Sequence, residues 1–213
     1  MTAIVWRRTE LGIKLVFAAL LSLTALGVVL WAWRGQEDTG AEEVVAQPIP
    51  FSHKHHVGDV GLDCRFCHVG VERTASAGLP STQICLNCHS QLFAGQAIFE
   101  PLRESARTGR PIAWNRVHRL PDFVYFDHAI HVAKGVACLE CHGRVDQAPL
   151  MQRVATLRMR WCVECHRNPM SRLRDPAHVF EMPPVDTGDS ATLHLLQKLQ
   201  SQQRLTDCST CHR

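Results

Sequence analysis

FSHKHHVGDVGLDCRFCH, residues 51–68, is written a second time in this chain as FDHAIHVAKGVACLECH, residues 126–142. Phe51, His53, His56, Val57, Gly61 and Cys64 of the first copy correspond to Phe126, His128, His131, Val132, Gly135 and Cys138 of the second, with one residue fewer between the valine and the glycine. Such internal repetition marks a duplicated structural unit. Each copy ends on Cys-x-x-Cys-His, and each is followed by a further such motif, 21 residues on at Cys85 and 24 residues on at Cys162. A fifth lies at Cys208. The pattern is two modules of two motifs plus one, and it uses all ten cysteines.

In Cys-x-x-Cys-His the two thiols add to the vinyl groups of one haem while the following imidazole reaches its iron. This predicts five c-type haems held by Cys64, Cys67, Cys85, Cys88, Cys138, Cys141, Cys162, Cys165, Cys208 and Cys211, with His68, His89, His142, His166 and His212 as proximal ligands. Zinc is the competing use of paired cysteines. Five copies do not divide into four-ligand sites, however, and zinc gives no reason for a histidine after every pair.

An iron that only shuttles electrons needs a sixth ligand, whereas one that works on a substrate keeps that position open. Eight of the 13 histidines remain for this role: His53, His55, His56, His118, His128, His131, His178 and His194. Eight candidates for five positions favour closed irons and an electron carrier, not an enzyme. The repeat singles out His53, His56, His128 and His131, and His118 joins them from RVHRLP, residues 116–121. The fourth motif has no histidine close upstream. Met159, three residues before Cys162, is its candidate sixth ligand, a thioether that would raise the potential, with core filler as the alternative. His55, His178 and His194 are read as surface or supporting residues.

The run from Leu15 to Trp33 holds no charge over 19 residues, about the length of a bilayer's hydrocarbon core as a helix. Arg7, Arg8 and Lys14 precede it, and beyond Arg34 come Glu37, Asp38, Glu42 and Glu43, so the positive-inside rule puts the N-terminus in the cytoplasm and the rest outside that membrane. Trp31 and Trp33 suit an interfacial belt. A cleaved signal peptide is the alternative, but the apolar run continues past the weak site at Ala25 and Gly27. The expected organisation is cytoplasmic residues and anchor over 1–33, a linker over 34–50 and a pentahaem domain over 51–213. With so little chain per cofactor, the domain should be mainly α with much irregular structure, a short helix on each motif and porphyrins filling much of the core. Ser190 is read as the cap of a further helix bearing Leu193, Leu196 and Leu199. The net charge of +3 comes from the anchor's flanks; beyond them acidic and basic residues balance, and nothing suggests nucleic-acid binding. Arg65, Arg160, Arg167 and Arg213 adjoin motifs and suit haem propionates.

The Phe-x-His-x-x-His unit resembles the small class III multihaem cytochromes. That resemblance implies that the first histidine closes the haem of its own module, His53 for Cys64 and His128 for Cys138, while His56 and His131 reach neighbouring haems. Over its full length the chain resembles the pentahaem subunit of alternative complex III, a bacterial quinol-oxidising assembly, through residues 51–68, RVHRLPDFVYFDHAIHVAKGVACLECHGRVD (116–146), RMRWCVECHRNP (158–169) and CSTCHR (208–213). This implies a relay from quinol, oxidised in polytopic membrane subunits accompanied by other redox subunits, to a periplasmic cytochrome c or small carrier. A single span cannot enclose a quinone pocket, so such partners are also a physical requirement. The alternatives are an anchored quinol dehydrogenase feeding a periplasmic reductase, a multihaem enzyme with an open iron, and a passive electron reservoir. Denaturing mass spectrometry of the mature protein is expected to show the polypeptide plus five haem masses; four or fewer would contradict the motif reading.

Overall fold

The computed structural model describes residues 2–34, 40–182, 194, 198 and 205–212. The chain forms two compact units, Met1–Thr39 and Gly40–Arg213. The first is one helix, α1 (Thr2–Arg34). Its segment Glu10–Trp33 is long and apolar enough to cross a membrane, about 36 Å at the helical rise. No side chain in that segment is buried. Its two hydroxyls bond back onto the helix, Ser22 Oγ to the Ala18 carbonyl and Thr24 Oγ1 to the Leu21 carbonyl, each at 2.9 Å. That is the local solution open to a hydroxyl with no water beside it.

The second unit is built from short helices joined by irregular chain. They are α2 (Cys64–Cys67), α3 (Thr82–His89), α4 (Glu100–Thr108), α5 (His128–Ala133), α6 (Leu139–His142), α7 (Met159–Arg167) and α8 (Cys208–Cys211). Each Cys-x-x-Cys-His motif sits on one of them, because a single helical turn brings both thiols to one side. Among the described residues there are no strands, only isolated antiparallel bridges at Val44–Gln152 and Val136–Leu173. The helix expected after Ser190 lies largely outside the described residues. The stretch expected as a linker, residues 34–50, is docked onto the second unit from Gly40 onward. Glu42 N–H donates to the Arg153 carbonyl, the Gln47 side chain bonds the Asn115 backbone, and Ile49 is buried.

Both repeat copies fold alike, and the one-residue difference between them is visible. The Ser52 and Asp127 side chains accept from the backbone N–H of His55 and Ile130, capping the two turns. The first copy then forms a π-helical turn, Lys54–Asp59, where the second forms α5. Val60 N–H donates to the His55 carbonyl five residues back, which is how a helix absorbs an inserted residue. The copies regain register at Gly61 (φ 80°) and Gly135 (φ 84°), both left-handed.

Few side chains pack as a core. Among the described residues the buried apolar ones are Ile49, Val71, Leu102, Ala137, Ala155, Leu173 and Val179. None is aromatic, whereas Phe66, Phe93, Phe123 and Tyr125 are exposed. A polypeptide of this size folding on side chains alone would bury a larger share. Gly61 has open space where a Cβ would project, but a Cβ on Gly135 would run into the Arg174 carbonyl oxygen. Gly61→Ala is therefore expected to cost about 1 kcal/mol, the left-handed penalty alone. Gly135→Ala should cost clearly more, as read from the denaturant midpoints of the mature proteins.

Candidate haem centres

The histidines are held in one recurring way. His68 Nδ1 donates to the Gly78 carbonyl at 2.7 Å, His89 Nδ1 to Leu92 at 3.1 Å, His166 Nδ1 to Leu205 at 2.8 Å and His212 Nδ1 to Phe123 at 3.2 Å. In the repeat, His56 Nδ1 donates to the Ser52 carbonyl at 2.8 Å, His131 Nδ1 to Asp127 at 2.7 Å and His128 Nδ1 to Ala75 at 2.9 Å. A carbonyl can only accept, so each bond places the proton on Nδ1 and leaves the Nε2 lone pair to a metal.

The rings also face one another. His56 and His89 have ring centroids 6.1 Å apart, His131 and His166 6.1 Å, and His128 and His142 6.5 Å with planes 11° from parallel. Two metal–imidazole bonds of about 2 Å plus two ring radii put centroids on opposite sides of a metal roughly 6 Å apart. Phenylalanines fix these rings identically in both copies. Phe51 meets His53 edge-on at 4.9 Å and stacks on His56 at 4.3 Å, while Phe126 meets His128 at 4.7 Å and stacks on His131 at 4.5 Å.

His53 lies beside His68, and both approach His142 together with His118 and His128. Burial, and then the nearby His68 and His56, push the His53 imidazole down to about 4. Burial, and then His118, His128, His68 and His53, push His142 down to about 3. His118 falls to about 4 through burial, with Arg153 and His128 adding to the effect, and His131 is lowered chiefly by burial. Neutral imidazole is the form that ligates a metal. Among the described residues the buried Nδ1 of His53 and Nε2 of His118 have no hydrogen-bond partner, and only the second is the nitrogen that an Nδ1-protonated imidazole offers to a metal. His118 stands 4.2 Å from His142, ring to ring, too close for an iron between them. The thiols sit in apolar surroundings as well. Burial raises Cys67, Cys85, Cys162 and Cys165, and it pushes Cys141 up to about 12.

Met159 stands apart from this arrangement. It is the first residue of α7 and 68% exposed, and the ring facing His166 belongs to His131. Proximity in sequence misleads here because the opposing group arrives from α5. Of the remaining histidines, His55 lies against Asp59 and His178 Nδ1 bonds Glu181 at 2.7 Å, while His194 is exposed on a helical segment. His212 stacks on Phe123 at 5.9 Å.

The arginines divide differently from the expectation. Arg65 is engaged by Asp63 and Glu72 and lies over Phe180, Arg160 pairs with Glu164, Arg167 is exposed, and Arg213 lies outside the described residues. Arg174 is 7% exposed, with Nη1 donating to the Glu181 carbonyl, and Arg153 has a buried Nε without a partner among the described residues. Neither adjoins a motif, so no sequence signal marks them.

Imidazoles tethered through Nδ1 and opposed in pairs, each following a turn that carries two thiols, fit c-type haem and define a cytochrome c. Comparison with known proteins agrees. Residues 124–213 match the family model for cytochrome c7 and related cytochromes c, which here covers the third to fifth motifs. The multihaem cytochrome c subunit of menaquinone reductase from Nitratidesulfovibrio vulgaris is 34% identical over 173 residues, covering 78% of this chain and 67% of that protein. The chain belongs to the multihaem c-type cytochromes.

Proposed function

We propose that the chain is the electron-relay subunit of a membrane complex, carrying five haems between a quinone pool and a redox carrier outside the cytoplasmic membrane. The observation that carries this reading is the set of opposed imidazoles about 6 Å apart, which suits closed irons and not an open catalytic site. Each bound haem supplies one-electron exchange between ferric and ferrous iron.

The cysteine pairs would hold the haems through thioether bonds, with His68, His89, His142, His166 and His212 as one ligand of each iron. His53 would serve as the second ligand at the first site, His56 at the second, His128 at the third and His131 at the fourth. Phe51 and Phe126 keep these rings from rotating. Arg174, which is buried, and Arg153, whose Nε is buried, would hold propionates, since a charge out of water needs a counter-charge. The loaded unit, residues 40–213, relays electrons and does not itself transform a substrate.

In this reading α1 anchors the chain with its N-terminus inside. One span cannot form a quinone site, so polytopic subunits supply it. The relative's name gives electrons moving toward menaquinone, whereas the resemblance to alternative complex III implies the opposite direction. The histidine pairs at the second, third and fourth sites, with lower potentials than His/Met, suit a low-potential pool in either direction.

Purification in mild detergent is expected to yield the chain together with polytopic subunits, and quinone-linked reduction or oxidation of its haems should need them. An isolated chain reacting with quinol at the full rate would overturn the relay. At the fourth site, His131→Ala should let the reduced protein bind carbon monoxide at one haem, while Met159→Ala should leave spectrum and redox titration unchanged. Loss of a low-spin signal in the methionine variant alone would reverse the assignment.

A further inference from the structure

Pairwise contacts link the five motifs of the second unit, and followed one to the next they trace a file whose order differs from that in the sequence. The middle of the file is the contact between the two repeat copies. The Cys64 and Cys138 thiols lie beside each other, Lys54 N–H donates to the Ala148 carbonyl at 2.9 Å, and the His128 ring hangs from the Ala75 carbonyl just beyond the first motif. Gly58 permits this approach, since a Cβ there would meet the Asp146 carbonyl oxygen.

On one side, Cys67 lies within electrostatic reach of Cys85, and His56, three residues after His53, faces His89. On the other, Cys141 neighbours Cys162 and Cys165, and His131, three residues after His128, faces His166. One step further, Cys162 lies beside Cys211, and the His166 ring is held by the Leu205 carbonyl, three residues before Cys208.

We propose that the attachment sites form one unbranched file in the order Cys85–His89, Cys64–His68, Cys138–His142, Cys162–His166, Cys208–His212. The inference rests on the five-haem reading above.

The file is tested by locating the irons in the mature full-length chain in detergent, using anomalous scattering at the iron edge. Nearest neighbours are expected in the order given. An iron of the second motif lying between those of the first and third, or the fifth lying beside the first, overturns it. Fewer than five irons counts against the five-haem reading instead, and the order is then decided by which of the remaining irons are neighbours.

Discussion

A hydrogen bond from an imidazole Nδ1 to a backbone carbonyl is the interaction on which this architecture depends. It settles the tautomer, aims Nε2 and prevents the ring from turning, and seven histidines make it. Some of the carbonyls are local, as at Ser52, Asp127 and Leu92, and tie a ring to its own turn. Others are distant in sequence, as at Ala75, Leu205 and Phe123, and so pin an irregular segment to a histidine. Loops with no ladder of their own thereby acquire fixed positions, and the absence of sheet among the described residues is no obstacle to order.

The sequence was legible where chemistry demands a fixed spacing. Covalent attachment allows only two residues between the thiols, and the cap, the ring-stacking phenylalanine and the left-handed glycine are all short-range features that survive in both copies. It was illegible where a group is brought in from elsewhere. Met159 stands near Cys162 in sequence, yet the group opposite His166 comes from 35 positions upstream at His131. Arg153 and Arg174 carry no local signature, because what sets them apart is burial, of Nε in the first and of the whole side chain in the second. The docking of residues 40–50 was hidden in the same way. A polar, proline-bearing composition is that of a linker, and only the partners across the fold, Gln152, Arg153 and Asn115, make it part of the domain.

The duplication also shows how such a unit tolerates change. Between its capped start and its glycine the first copy holds one residue more than the second, and the extra residue widens a helical turn without displacing His53 or His56 from Phe51. The constraint falls on the histidines and on the cysteines, and the connection between them is free to be α or π.

The scarcity of buried side chains has a consequence for the cell. A chain that cannot complete its interior alone has no stable form to wait in, so before its cofactors arrive it is open to proteases. Its abundance then follows the supply of haem and not the rate of its own synthesis, and iron shortage would thin this segment of the electron-transfer chain with no change in gene expression.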